Sequence, residues 1–285
     1  MYEFFRSLVP YVVPIFVVLT MLNVGLTQKL SVIIGHLKNL PFVLKMLAAN
    51  FVVAPLLMII VLKLTSIDPA LKAGLLVFSL CAGAPFLIKL TQAAEQNMAL
   101  GAAVMMLLMV ATVIYVPLVL PLFLDGVAVD AWAIAKALLL QMILPIAVGM
   151  LLVQFLPDLS KRAQPWVGWA GNIALYIVVA ATLIGYFPNM LGIVGTGAIL
   201  VGLAFVAAAF GIGYLAGLGK DHLEDVGGLG TAQRNTAAGL IIAAQDFSDP
   251  NVLVMLTLAN TLGVVMLFLI ARFLTRDNKV TTETV

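Results

Sequence analysis

Charge is scarce in this chain. Asp, Glu, Lys and Arg make up 10% of its 285 residues, against about 25% in a soluble domain. There is one cysteine, Cys81, and there are two histidines, His36 and His222. A lone cysteine excludes a disulfide framework and a cysteine-built metal site. Neither histidine has a partner at ligand spacing, so no metal site is expected. The sequence holds no Walker-type glycine loop, zincin motif or nucleophile elbow, and no Asp/Glu pair or Ser–His set within its apolar runs. An enzyme is therefore not expected, nor is a resident cofactor or a nucleic-acid partner.

What fills the chain instead is apolar surface. Hydrophobic residues make up 63% of it, and the mean hydropathy is +1.16. Runs of about 20 apolar residues recur along the whole length, each able to cross a ~30 Å hydrocarbon core as a helix. The alternating segments of about 10 residues that mark a membrane β-barrel are absent. The expected fold class is an all-α polytopic membrane protein whose first partner is the lipid bilayer. Nine spans are read, at about 8–27, 41–64, 69–94, 97–123, 131–156, 166–187, 190–217, 226–247 and 250–272. Residues Met1 to Pro10 show no cleavable signal pattern, so the first run reads as a retained span.

The loops carry an orientation signal. With the N-terminus outside, the inside loops hold Lys29 and Lys38, Glu95, Lys161 and Arg162, and Lys220 with Asp221, Glu224 and Asp225. The inside tail holds Arg272, Arg276 and Lys279, while the outside loops hold Asp68, Asp125, Asp130, Asp246 and Asp249. All loop Lys and Arg then lie on one side, which fits N-out/C-in by the positive-inside rule. Lys45, Lys63, Lys72 and Lys136 stand near span ends and can reach an interface by snorkelling.

Two stretches stand apart. One runs from Cys81 through Gly83, Pro85 and Lys89 to Thr91; the other runs from Val226 through Gly228, Gly230 and Arg234 to Thr236. Each sits in an apolar run. Each has a helix breaker, Pro85 or Gly230, four residues before a lone cation, and a Thr two residues after it. A charge near the membrane centre costs about 2.5–3.5 kcal/mol on insertion scales. Unwound backbone there bares groups that lipid cannot satisfy, so it must face protein or a wet cavity. The half-helices that follow aim positive ends at that cavity, and Lys89 and Arg234 add full charge, so the pocket favours an anion. With nine spans the two stretches run in opposite directions, as an inverted repeat requires. The other polar span residues, Asn50, Gln92, Gln96, Gln141, Asn260 and Thr261, read singly as interhelical hydrogen bonds.

At these residues the chain resembles the bile acid:sodium symporter family. The anchors are Pro10-Tyr11, Val24 to Thr27, Asn50-Phe51 with Pro55, Cys81 to Ala84, Asn97 to Leu100, Leu144-Pro145-Ile146, and Gln233 through Leu240 ending in Phe247. The resemblance covers nearly the whole chain and lies in their order and spacing. It implies one transporter unit over 1–285, with a core of about 41–123 and 190–273 and a panel of about 8–30 and 131–187. Two discontinuous helices cross in the core. Nine spans match the branch lacking an extra first helix. A monomer in the inner (plasma) membrane is expected.

The family's functional positions carry over unevenly. Asn50 falls on a Gln that contacts sodium, Asn235 on the Asn after the second break, and Asn260 on an Asn near substrate. The family's Glu in the second crossing falls on Gly230 and its sodium-binding Gln on Arg234. The Ser-Asn pair at the first break falls on Leu87-Ile88, and further hydroxyl ligands fall on Gly101 and Met105. A hard cation wants several oxygen ligands, preferably with a carboxylate. The expectation is therefore a secondary transporter of small organic anions by alternating access, sodium-independent, with Lys89 and Arg234 standing in for two sodium ions. The expected substrate-binding residues are Asn50, Lys89, Thr91, Gln92, Thr231, Gln233, Arg234, Asn235, Thr236 and Asn260, with helix breaks at Gly83, Pro85, Gly228 and Gly230. A Na⁺-coupled symporter stands as an alternative. So do an arsenite carrier, which would use a Cys near the first break, and a non-transporting sensor or channel.

Overall fold

The computed structural model describes residues 1–123, 130–219 and 222–283, with side chains to 275. Asp125, Lys220 and Asp221, and the side chains of Arg276 and Lys279, lie outside the described residues.

The described chain is helical, with an isolated β-bridge and no strand. In order come α1 (Tyr2–Thr27), α2 (Leu30–His36), α3 (Leu40–Ala48), α4 (Ala54–Leu64), α5 (Pro69–Leu80), α6 (Phe86–Ala93) and α7 (Met98–Val119). Then follow α8 (Ala131–Leu138), α9 (Leu144–Phe155), α10 (Pro157–Gly185), α11 (Phe187–Ile193), α12 (Ala198–Gly217), α13 (Glu224–Ala232), α14 (Thr236–Asp246) and α15 (Pro250–Glu283). Short polar residues start several of them. The Asp68 side chain accepts the Ala70 amide, Asn97 accepts Ala99 and Leu100, and Asp130 accepts Trp132 and Ala133. Each cap pairs N–H groups that the first turn leaves open.

Two joints are widened rather than broken. A π-turn at Ala49–Val53 joins α3 to α4 just before Pro55, and another at Leu139–Ile143 joins α8 to α9 just before Pro145. Proline lacks an N–H and its ring collides with an upstream carbonyl, so the preceding turn opens and the helix continues. The joined helices cover Leu40–Leu64 and Ala131–Phe155.

Among the described residues seven helical stretches are long and apolar enough to cross a membrane. Of the nine expected spans, the third and eighth are not among them. Each is instead a pair of short helices, α5 with α6 and α13 with α14, separated by non-helical backbone. The cytoplasmic-loop expectation also shifts: Lys161 and Arg162 lie on the first turns of α10, and Glu224 and Asp225 open α13.

Helix α1 lies against α9 and α10; α12 lies against α13, and α5 against α15. Methionine and leucine fill the space around the broken elements: Met46, Leu75, Leu80, Leu87, Met105, Leu108 and Met109 are all buried. Large apolar residues such as Leu118, Trp166, Leu200 and Phe273 face outward, as expected where the outer solvent is lipid.

Candidate functional site

The two broken elements meet at their breaks. Ala82 and Arg234 form an antiparallel β-bridge. The Asn235 amide donates to the Cys81 carbonyl at 3.0 Å, and the Asn235 side chain donates to the Gly83 carbonyl at 2.9 Å. Its oxygen accepts the Ala238 amide at 3.1 Å and so caps α14. One asparagine thus ties the second break to the first and starts the helix that follows. Thr112 of α7 closes the other side: its hydroxyl accepts from the Ala82 amide and donates to the Ala82 carbonyl, both at 2.9 Å. Backbone groups left open by unwinding must find partners where no water is at hand, and here side chains supply them. The elements also meet at one end, where the Gln96 side chain donates to Asp225 at 2.8 Å.

The first break lies at Cys81–Pro85, as expected from Gly83 and Pro85. Gly83 has φ +79, and a side chain there would overlap the backbone of Leu108 and Met109. Only glycine fits that conformation and that approach. The second break is a correction. Gly228 and Gly230 lie inside α13, and the unwound residues are Gln233, Arg234 and Asn235. The glycines serve close packing instead. A Cβ on Gly228 would lie 2.7 Å from the Phe210 ring, and one on Gly230 3.0 Å from Val104. Gly230, where the resemblance places a Glu, is thus walled by Val104, Leu87 and Met46.

Arg234 sits at the centre, 1% exposed. Its Nη1 donates to the Ser79 carbonyl at 3.0 Å, and its guanidinium lies over the Phe205 ring at 5.1 Å. Among the described residues its Nε and Nη2 have no hydrogen-bond partner. Among the described residues no carboxylate pairs with it. The charged hydrogen bond contributes about 1.5–3 kcal/mol and the stacked ring about 2. Two unpaired charged donors cost more than about 1–3 kcal/mol each. The arrangement gains little or nothing for folding by itself.

Asn50, in the π-turn, donates to the Met46 carbonyl at 2.9 Å and to the Thr231 hydroxyl at 3.0 Å, while its oxygen stays buried and unpaired. The Gln233 side chain donates to the Arg234 carbonyl at 3.2 Å, and its oxygen is likewise unpaired. Thr231, Gln233, Arg234 and Asn235 are all buried. Thr91 is buried too, but its hydroxyl donates within its own helix to Leu87 and Ile88. It fills the space a side chain on Gly101 would need.

Of the remaining expected residues, Lys89 and Gln92 lie on the exposed side of α6, while Thr236 follows Asn235 directly and its amide donates to the Arg234 carbonyl at 3.1 Å. Lys89 is exposed, with its Nζ over the Phe86 ring at 5.1 Å, and Gln92 is exposed one turn on. The expected pairing of Lys89 with Arg234 in one buried pocket is therefore not what the fold builds. Helix α6 directs Leu87, Leu90 and Thr91 inward, and Lys89 falls on its outer face. Thr236 and Asn260 are half-buried. Sequence reasoning missed three contributors: Thr112, the Ser79 carbonyl and Phe205. The single Ser or Thr of the most apolar span was a signal for Thr112; a carbonyl and an aromatic ring leave none.

The carbonyls of Ser79, Cys81, Ala82 and Gly83 already accept protein hydrogen bonds, and a full positive charge sits among them. No group of three His, Cys, Asp or Glu comes together among the described residues. Surface clefts lie elsewhere, one of about 300 Å³ beside Asp68, Asn189, Thr196 and Asn251.

Comparison with known proteins bears on this arrangement. A family described as Sodium Bile acid symporter family matches residues 14–193. The chain is 28% identical over 242 residues to "Probable sodium/metabolite cotransporter BASS1, chloroplastic" of Arabidopsis thaliana, covering 81% of this chain and 59% of that protein. It is 28% identical over 194 residues to "Probable sodium/metabolite cotransporter BASS5, chloroplastic" of Oryza sativa subsp. indica, covering 65% and 48%. The chain thus spans about half the length of these relatives.

Proposed function

The chain belongs to the sodium bile acid symporter family, and from that membership we propose that it is a secondary transporter of small organic anions, carboxylates foremost. The observation that carries the reading is Arg234: a fully buried cation without a carboxylate partner among the described residues, held at the crossing of two broken helices. In this reading the anion's charge is met by the fixed guanidinium, and no sodium ion is needed to neutralise it. Lys89, on the outer face of α6, takes no part in that neutralisation.

The proposed transport cycle starts from a closed crossing. The crossing is closed on all sides in this state, since Arg234, Asn235 and Gln233 are each at most 3% exposed. In this reading a substrate reaches it when one set of helices moves against the other, as in alternating access. In this proposal α1 and α8–α10 form a panel and the remaining helices a core. The seven long helices and the two broken elements make nine crossings, arranged as inverted repeats. The N-terminus lies outside and the C-terminus in the cytoplasm of a cell whose inner membrane houses the protein.

The names of the relatives, sodium/metabolite cotransporters, favour a second reading in which a sodium gradient drives uptake. One experiment separates the two. Uptake of small carboxylates into proteoliposomes is measured with and without an inward sodium gradient, for the wild type and for Arg234→Gln. Sodium-independent uptake that Arg234→Gln abolishes is the expected result. Uptake that rises steeply with the sodium gradient overturns the first reading in favour of the second.

A further inference from the structure

Arg234 has three polar nitrogens and uses one of them. Nη1 is committed to the Ser79 carbonyl, and Phe205 covers one face. The two unpartnered nitrogens, Nε and Nη2, lie on the same edge of the guanidinium plane. That edge presents two parallel N–H groups, the fork that matches the two oxygens of a planar carboxylate.

The same chain shows what a purely structural arginine looks like. Arg6 stacks on Tyr186 at 5.0 Å, as Arg234 stacks on Phe205. Its Nε donates to the Gly185 carbonyl at 2.6 Å and its Nη2 to the Asn189 side-chain oxygen at 2.7 Å. The edge left open on Arg234 is filled on Arg6, although Arg6 is only half-buried. A buried polar group in a folded protein is nearly always paired, and a charged one most of all. The protein fills this edge on the half-buried arginine and leaves it without a protein partner on the buried one.

We propose that the Nε–Nη2 edge of Arg234 is the docking point of the transported anion, and that it selects a carboxylate by two parallel hydrogen bonds. The inference rests on the transport reading above and narrows its substrate to carboxylates held side-on. Charge alone does not make the site. A lysine at this position would offer a point charge that a spherical anion satisfies equally well.

The test uses the purified 285-residue chain in detergent. The unfolding midpoint is followed against acetate, butyrate, benzoate and cholate. Acetamide, butyramide and benzamide serve as neutral isosteres, and sodium chloride as the point-charge control at equal ionic strength. At least one carboxylate raises the midpoint in a saturable way, while its amide and chloride do not. Arg234→Lys weakens that carboxylate ~10-fold or more, the loss expected for one charged hydrogen bond, and Arg234→Met abolishes the response. No saturable response to any of the carboxylates, or an equal response to the amides or chloride, overturns the proposal. So does an Arg234→Lys variant that binds within twofold of the wild type. Should neither variant stay monodisperse, the wild-type comparison of acid, amide and chloride decides alone. Counterflow in proteoliposomes separates the two readings. Carboxylate binding by the fork without any flux removes the transport reading only. Flux unaffected by Arg234→Lys and Arg234→Met removes the fork only.

Discussion

The two breaks look alike in the sequence and are built on different principles. The first, Cys81–Pro85, is made of small and apolar residues that offer backbone. Its carbonyls accept hydrogen bonds from Asn235 and Thr112, its Ala82 amide donates to Thr112, and Arg234 donates to the Ser79 carbonyl just before it, while its own cation, Lys89, points away. The second, Gln233–Asn235, offers side chains: an amide, a guanidinium and another amide, all buried. One break is a template of bare backbone and the other a set of polar arms laid on it. A pair of identical breaks would have placed like charges face to face in a medium of low dielectric, where their repulsion is large. The asymmetry puts one positive charge at the crossing and leaves its free edge to a ligand.

Three changes would break or sharpen that contrast. The largest effect is expected at the backbone break. Gly83→Ala forces a left-handed residue to carry a Cβ into the Leu108–Met109 backbone of α7. The expected cost exceeds about 4 kcal/mol, read as loss of monodisperse protein in detergent. A normally folded Gly83→Ala protein would show that α7 does not bear on the break.

Next comes the polar break. Asn235→Ala removes the cap on Ala238 and leaves the Gly83 carbonyl without its donor. The expected loss is about 2–4 kcal/mol, seen as a lower unfolding midpoint. A change under about 0.5 kcal/mol would mean that the main-chain bond to Cys81 holds the crossing alone.

The smallest effect belongs to the outlying cation. Lys89→Gln alters an exposed residue whose recorded contact is the Phe86 ring. Stability is expected to shift by no more than about 0.5 kcal/mol, and carboxylate uptake to stay within about twofold of the wild type. A loss of uptake comparable to that of Arg234→Gln would restore Lys89 to the site and undo the contrast.

Much of the scaffold was legible in advance. Long apolar runs located the seven long helices because lipid admits few other solutions. Gly83 with Pro85 marked the first break because the one frees the backbone and the other lacks a donor. Arg234 stood out because charge in such a run is costly. The second break was misplaced by three residues or more because Gly228 and Gly230 have two possible uses. Glycine permits unwinding, and it equally permits helices to touch; Phe210 and Val104, distant in sequence, select the second use. Lys89 was misjudged for a related reason. Its spacing from Pro85 matches that of Arg234 from Gly230, but spacing does not say which side of α6 meets the protein.

The sequence by itself determined that this chain is a bundle of membrane-crossing helices with a costly polar interruption, because composition alone decides which solvent a chain can tolerate. The tertiary structure decided which of two similar cations is enclosed, and which nitrogens of Arg234 are left unpaired. Those outcomes depend on Ser79, Thr112 and Phe205 arriving at one point from three separate helices, and burial and hydrogen bonding are properties of that convergence rather than of any local run of residues.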